Sequence, residues 1–147
     1  MKSVESGVVA GKNPVLTSSA FHPMPVVAVD YPFPDRLLLK VRGSIDVAEM
    51  RQVIASHRRG ANRLTPILFD LTEATLDVSA TEVASLAEAT ALDMKRGALG
   101  PVALIATCDE VFGLGRMYQS HSTALGRPQV GVFRDQNAAE RWLQTLA

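Results

Sequence analysis

The sequence lacks the residues that would cross-link the chain or hold a metal ion. Cys108 is the only cysteine among 147 residues, which excludes an internal disulfide and a zinc site built from several cysteines. The three histidines, His22, His57 and His121, lie far apart and have no ligand-type partner four residues away. Metal ligands on one helix need such spacing, so we expect no metal and no cofactor.

The sequence also has no excess of positive or negative charge and no long apolar run. Lys plus Arg and Asp plus Glu number 15 each, so no overall field would recruit nucleic acid. No run approaches the roughly 18 apolar residues of a membrane span, and the first residues do not read as a signal peptide. The expectation is a cytoplasmic protein without a membrane span. A closed homodimer is the common assembly for such a protein.

Catalytic signatures are absent as well. The sequence contains no G-x-S-x-G, H-E-x-x-H or P-loop motif and no paired carboxylates at a recognisable spacing. Gly113 and Gly115 form G-x-G, but Tyr118 stands where the third glycine of a dinucleotide fingerprint belongs. These two glycines more simply let a helix approach a sheet closely. We therefore expect no catalytic residue and a protein that is not an enzyme.

Hydrophobic periodicity indicates one α/β domain over residues 25–147, after an irregular or flexible arm at 1–24. Buried strands that alternate with amphipathic helices favour a mostly parallel sheet of about five strands with four helices, in the order β-β-α-β-α-β-α-β-α. The short link "PFPD" predicts that the first two strands pair antiparallel. Strands are predicted at 25–31, 36–43, 66–71, 100–108 and 129–135, and helices within 44–60, 79–96, 110–125 and after Asp135.

Helix-capping residues mark the helix starts. Asp46 with Glu49 and Ser79 with Glu82 have the spacing of a capping box, in which each side chain accepts a hydrogen bond from the other residue's backbone N–H. Cys108 ends a predicted strand before an acidic helix start. We expect it to be an inert, buried group, because a free cysteine usually packs as a small apolar side chain.

Two segments, "ILFDLTEATLDVSATEV" at 67–83 and "VFRDQNAAERWL" at 132–143, carry a family resemblance. Together with the element order, they resemble the SpoIIAA-like fold of STAS domains and small STAS/SEC14-like proteins over roughly residues 25–147. In the anti-sigma-factor-antagonist branch, the matching loop reads Asp-Ser-x-Gly and its serine is phosphorylated. Here Val78 follows Asp77 in place of that serine, and Ala80 replaces the glycine. Ser79 is therefore read as a helix cap rather than as a phosphorylation switch.

The resemblance implies two functions. The first is a regulatory domain that binds a protein partner through the 77–83 loop and the second helix. Its candidate residues are Asp77, Val78, Ser79, Thr81 and Val83. An exposed apolar patch on that helix, formed by Val83, Ala84 and Ala87, would favour this function.

The second function, implied by the SEC14-like side of the resemblance, is binding of a small apolar ligand or lipid. Such a ligand would occupy a pocket beside the third helix. Its candidate lining residues are Met94, Phe112, Leu114, Met117 and Tyr118. A cavity near these residues would favour ligand binding, although adaptable Met and aromatic side chains fill ordinary cores equally well.

Overall fold

In the part of the chain that the structure describes, five strands and four helices follow one another in the predicted order. The computed structural model describes residues 26–33, 36–57, 63–127 and 129–146. The elements are β1 (Val26–Phe33), β2 (Arg36–Asp46), α1 (Val47–His57), β3 (Ile67–Asp77), α2 (Ala80–Met94), β4 (Val102–Ile105), α3 (Asp109–Ala124), β5 (Val130–Phe133) and α4 (Gln136–Thr145). The predicted arm at 1–24 lies outside the described residues, as does the expected end of the first helix at Arg58, Arg59 and Gly60.

The strands form one sheet in the order β1-β2-β3-β4-β5. β1 pairs antiparallel with β2, whereas β2, β3, β4 and β5 pair parallel with one another. One helix connects each parallel pair, as parallel pairing requires, because the chain must return to the starting edge of the sheet. The predicted α/β class, the element order and the antiparallel first pair are confirmed.

Alternation along the strands assigns residues to the two faces of the sheet. In β2, Leu37, Leu39 and Val41 are buried on one face, while Leu38 and Lys40 between them are half-buried on the other. Successive side chains of a strand point to opposite faces, which explains this pattern. This confirms the prediction that one face of this strand is buried.

β3 is longer than predicted. The sequence placed its end at residue 71 because the following stretch is polar, but the strand continues to Asp77. Its second half alternates half-buried Thr72, Ala74 and Leu76 with exposed residues, and it pairs with the second half of β2. A half-buried strand of period two was therefore mistaken for a loop.

Helices cover both faces of the sheet. α1, α2 and α3 pack on one face and form the larger core with it, and α4 packs on the other. The first core includes Ile45, Met50, Phe69, Leu86 and Val111. The second includes Leu68, Ala103, Ile105, Ala139 and Leu143. The candidate site described below lies within the first core.

The close approach of α3 to the sheet depends on one of the two predicted glycines. A Cβ atom at Gly115 would lie 3.1 Å from Val132 Cγ1, so the helix packs where a larger residue would crowd β5. Gly113 is exposed, and a Cβ atom there would meet nothing within 4 Å. The expectation that glycine allows close packing is therefore correct for Gly115 and wrong for Gly113.

Candidate functional site

A cavity of about 90 Å³ lies between the sheet and the three helices on its larger face. Its walls are formed mainly by aliphatic side chains of α1, β3, α2, β4 and α3. They are Met50, Ile54, Ile67, Phe69, Leu71, Leu76, Val78, Val83, Leu86, Thr90, Asp93, Leu99, Val102, Leu104, Leu114, Gly115, Tyr118 and Arg127. Among the described lining residues, Thr90 and Tyr118 are polar, Asp93 and Arg127 are charged, and the others are apolar.

Three of these side chains form a hydrogen-bonded chain. Arg127 Nη1 donates to the Tyr118 hydroxyl oxygen at 3.4 Å, and that oxygen lies 3.2 Å from Thr90 Oγ1. Thr90 Oγ1 in turn donates to the carbonyl oxygen of Leu86 at 3.0 Å. Because a threonine hydroxyl has a single proton, the Tyr118 hydroxyl must be the donor to Thr90. The Tyr118 oxygen thus faces Arg127 as an acceptor.

The end of α3 places Arg127 in the interior. Gly126 has a φ of 90°, and its N–H donates to Thr123 O at 3.0 Å. The Arg127 N–H donates to Ser122 O at 2.8 Å, which completes a Schellman motif. The left-handed glycine turns the chain back toward the helix, so the Arg127 side chain, with only 4% of its surface exposed, enters the core.

Burial lowers the pKa of the Arg127 guanidinium, and the neighbouring Tyr118 and Asp93 partly offset this by raising it. The group nevertheless stays charged, because the pKa of a guanidinium lies far above neutral pH. Among the residues that the structure describes, no carboxylate oxygen lies within 4 Å of it. Arg127 is therefore a buried cation whose acceptors are neutral oxygens.

The predicted ligand residues divide into two groups. Leu114 and Tyr118 line the cavity, as predicted for a pocket beside the third helix. Phe112 and Met117 are half-buried against the same core but do not line it. Met94 lies on a separate shallow surface groove with Leu92 and Leu125. Phe112 and Met117 on α3 and Met94 on α2 thus lie on other sides of the helices that carry lining residues.

The predicted partner loop is built around the expected capping box. Glu82 N donates to Ser79 Oγ at 3.2 Å, and Ser79 N donates to Glu82 Oε1 at 3.0 Å. Asp77, Ser79 and Thr81 are exposed. Val78 instead is half-buried and lines the cavity.

The apolar patch on the second helix that would have favoured partner binding is not formed. Val83 has 4% of its surface exposed and Ala87 has 2%, so both belong to the core. Val83 was predicted to contact a partner. It lies on the inner side of α2 and is therefore not available for that contact. The apolar stripe of an amphipathic helix packs against the sheet, which explains why these residues are turned inward.

The prediction for Cys108 is wrong. The thiol is exposed, at the N-cap position of α3, and makes no capping hydrogen bond. β4 ends at Ile105, three residues earlier than the sequence suggested, so Cys108 lies beyond the sheet rather than within it.

Arg127 was missed in the sequence because nothing in its local pattern distinguishes it from a surface arginine. The usable signal was Gly126, a helix-ending residue that directs the next side chain back toward the core. Thr90 was missed for a similar reason, since a threonine within a helix is usually on its solvated side. Its partner Tyr118 is 28 residues away in sequence.

Comparison with known proteins bears on the fold. No protein-family model and no curated protein matches the chain. Among solved structures, it matches an uncharacterised protein of the DUF3478 family from Shewanella loihica PV-4, which has a SpoIIAA-like fold, at a TM-score of 0.51. The match covers 86% of this chain and 98% of that one at 21% identity. The fold is SpoIIAA-like. This confirms the fold named from the sequence, and at this identity the similarity extends to the fold alone.

None of the helices in the described part of the chain is long and apolar enough to cross a membrane. Within the same residues, no three His, Cys, Asp or Glu side chains are grouped to bind a metal ion.

Proposed function

We propose that this SpoIIAA-like protein is a non-enzymatic binding domain whose cavity accepts a small apolar ligand. The single observation that carries the proposal is the cavity itself, which is lined by aliphatic side chains from five elements. Interiors normally pack without voids larger than a water molecule, and a void among well-packed aliphatic groups destabilises a protein. A ligand that fills such a space would recover the lost contacts.

The size of the cavity limits the ligand. Its volume of about 90 Å³ exceeds the roughly 10–15 Å³ that a cavity needs to hold one water. It is smaller than the roughly 150 Å³ cavity that holds a benzene ring. The proposed ligand is therefore a short or branched group of a few carbon atoms rather than a long lipid chain. Met50 in the wall gives some room for adjustment, because methionine side chains adapt readily.

The test is an NMR titration of the protein with 3-methylbutan-1-ol, a compact neutral probe. Saturable shifts of backbone amide signals in α2, β3 and α3 would support the proposal. Leu114→Phe fills the cavity and should weaken binding at least about tenfold, because the probe and the ring compete for one space. Met117→Phe is the matched control, since Met117 is half-buried on the same helix but does not line the cavity.

The results distinguish cavity binding from surface adsorption. We expect the Met117→Phe protein to bind the probe as the unmodified protein does. Equal binding by the Leu114→Phe protein, or shifts that spread over the surface without saturating, would refute the proposal.

A second candidate function is regulatory binding of a protein partner at the exposed part of the predicted 77–83 loop, where β3 ends and α2 begins. It is supported by the exposure of Asp77, Ser79 and Thr81 beside Val78, whose side chain lines the cavity. Ligand occupancy could thus be sensed at the loop through Val78.

This second function is tested by affinity capture of partners from the native host with the wild-type protein and with Asp77→Lys and Thr81→Arg. Both positions are exposed, so the fold should be retained. A partner that is lost with these variants but retained with the exposed α4 variant Arg141→Glu would support the loop. An unchanged set of partners would exclude it. Val83→Asp is unsuitable here, because Val83 is buried.

A further inference from the structure

The cationic end of the cavity restricts the chemistry of its ligand. Arg127 Nη1 donates to the Tyr118 hydroxyl oxygen, and Nη2 donates to Gly100 O at 3.0 Å. A guanidinium has five N–H donors. In the described part of the chain these two oxygens are its only acceptors, so three donors remain. Both acceptors are uncharged, and a buried charge without an opposite charge is unfavourable.

The nearby acidic residue does not supply the missing negative charge. Asp93 also lines the cavity, but its Oδ1 lies 3.2 Å from Arg63 Nη1, and Arg63 Nη2 donates to Asp93 O at 3.0 Å. Asp93 and Arg63 thus compensate each other. Among the described residues at this end, two guanidiniums and one carboxylate leave a net positive charge, and Arg127 is the guanidinium with no carboxylate oxygen within 4 Å.

We propose that the ligand is a compact apolar carboxylate, with its carboxylate on Arg127 and its hydrocarbon part among Leu86, Leu104 and Leu114. This inference rests on the proposed function and adds the class of ligand to it. A guanidinium binds a carboxylate through charge-assisted, frequently paired hydrogen bonds, which are stronger than bonds to neutral oxygens. The apolar wall and the single charge select molecules with a short hydrocarbon part and one anionic group.

A basic groove adjoins the cavity and suits the approach of an anion. The groove lies between α1 and α2 and shares Ile54, Leu86, Thr90 and Asp93 with the cavity wall. Its other lining residues include three arginines, Arg51, Arg63 and Arg96. Asp93 is the only acidic residue that lines it in the described part of the chain, so the local charge is positive and would concentrate anions at this face.

Calorimetric titrations of 3-methylbutanoate and 3-methylbutan-1-ol at neutral pH test the inference. The two probes share a branched hydrocarbon part and differ in charge. The protein should bind the carboxylate about tenfold or more tightly, because hydrogen bonds to a charged group contribute more than bonds to a hydroxyl. Dodecanoate should bind more weakly than 3-methylbutanoate, since its chain exceeds the cavity.

Two variants assign the preference to the cavity. Arg127→Gln should remove the preference for the carboxylate while the alcohol still binds. Arg116→Gln is the matched control, because Arg116 is exposed on α3 and does not line the cavity. It should bind both probes as the unmodified protein does.

Failure of this inference is distinct from failure of the proposed function. Equal affinity for the two probes, or a carboxylate preference that persists in Arg127→Gln or is lost in Arg116→Gln, would overturn the inference while leaving the cavity as a neutral apolar site. Tighter binding of dodecanoate would also overturn it. If neither probe binds, both proposals fail. If Arg127→Gln does not fold, the comparison of the two probes and of dodecanoate with the unmodified protein still decides the outcome.

Discussion

Arg127 Nη1 lies 3.4 Å from the hydroxyl oxygen of Tyr118, beside a core that is mainly aliphatic. Tyr118 is on the buried side of α3, and Arg127 reaches it because Gly126 reverses the chain just beyond the helix. This contact joins a helix end, a backbone turn and a cavity wall. Changes to any of these three features should therefore affect the cavity.

The turn at Gly126 can be tested by substitution. Gly126→Ala places a Cβ atom on a residue with a φ of 90°, which should destabilise the fold by about 1–2 kcal/mol. Gly113→Ala is the control, since Gly113 is exposed within α3 and a Cβ atom there would meet nothing within 4 Å. It should stabilise the protein by about 0.5–1 kcal/mol. Urea unfolding measures both values, and equal effects would contradict the role of the turn.

The cap at Ser79 should contribute to stability. Ser79→Ala removes the acceptor for Glu82 N and should reduce the free energy of unfolding by about 0.5–2 kcal/mol. Ser79→Asp should remain close to wild type, because aspartate also caps and its charge suits a helix N-terminus. Ser85→Ala, on an exposed position of the same helix, should not destabilise. Equal stability of the Ser79→Ala protein and wild type would show that the capping box contributes nothing.

Burial of Val83 predicts a large effect of a charge at that position. Val83→Asp should lower the free energy of unfolding by about 3 kcal/mol or more, because it buries an unpaired carboxylate. Thr81→Asp, two residues earlier and exposed, should change stability by less than about 0.5 kcal/mol. Thermal unfolding followed by circular dichroism distinguishes the two. A small effect at Val83 would mean that α2 does not pack as described.

The exposed thiol of Cys108 should react in the native state. Iodoacetamide should modify the folded protein about as fast as the urea-unfolded protein, because access is not limited by folding. Intact-mass measurement over time gives both rates. If the native thiol reacts more than about a hundredfold more slowly than the unfolded one, Cys108 is buried, as the sequence suggested.

The pH dependence of carboxylate binding should come from the ligand. The lowered pKa of Arg127 reduces stability at every pH below that pKa, and this loss diminishes only in strong alkali. Arg127 thus remains charged from acid to neutral pH, bonded to Tyr118 and near Asp93, which is paired with Arg63. Affinity for 3-methylbutanoate should be constant between pH 8 and 6 and should fall as the probe is protonated below about pH 5. Calorimetry at several pH values checks this. A change in affinity between pH 6 and pH 8 would contradict it.

The sequence was sufficient for the fold because the fold depends on repeating patterns. Alternation in β2, apolar stripes in the helices and the capping pairs at Ser79 and Glu82 are local signals, and each was found in its expected place. The end of β3 was missed because Thr72–Asp77 has too few apolar residues to separate a half-buried strand from a loop.

The site was less accessible to sequence reasoning, because it is formed by residues that are distant in the chain. Leu114 and Tyr118 were identified as residues of the third helix, and both line the cavity. Arg127 was not, since an arginine is normally exposed and only the tertiary packing shows that this one is buried. Cys108 was misplaced because burial was inferred from residue type.

Diffraction from crystals under xenon pressure tests whether the cavity accepts a small apolar ligand. Xenon enters dry apolar cavities without needing any polar contact. We expect one strong xenon peak enclosed by Phe69, Leu86 and Leu114, and its loss in the Leu114→Phe protein. Absence of a peak at that position in the unmodified protein, or ordered waters filling the space, would contradict the claim.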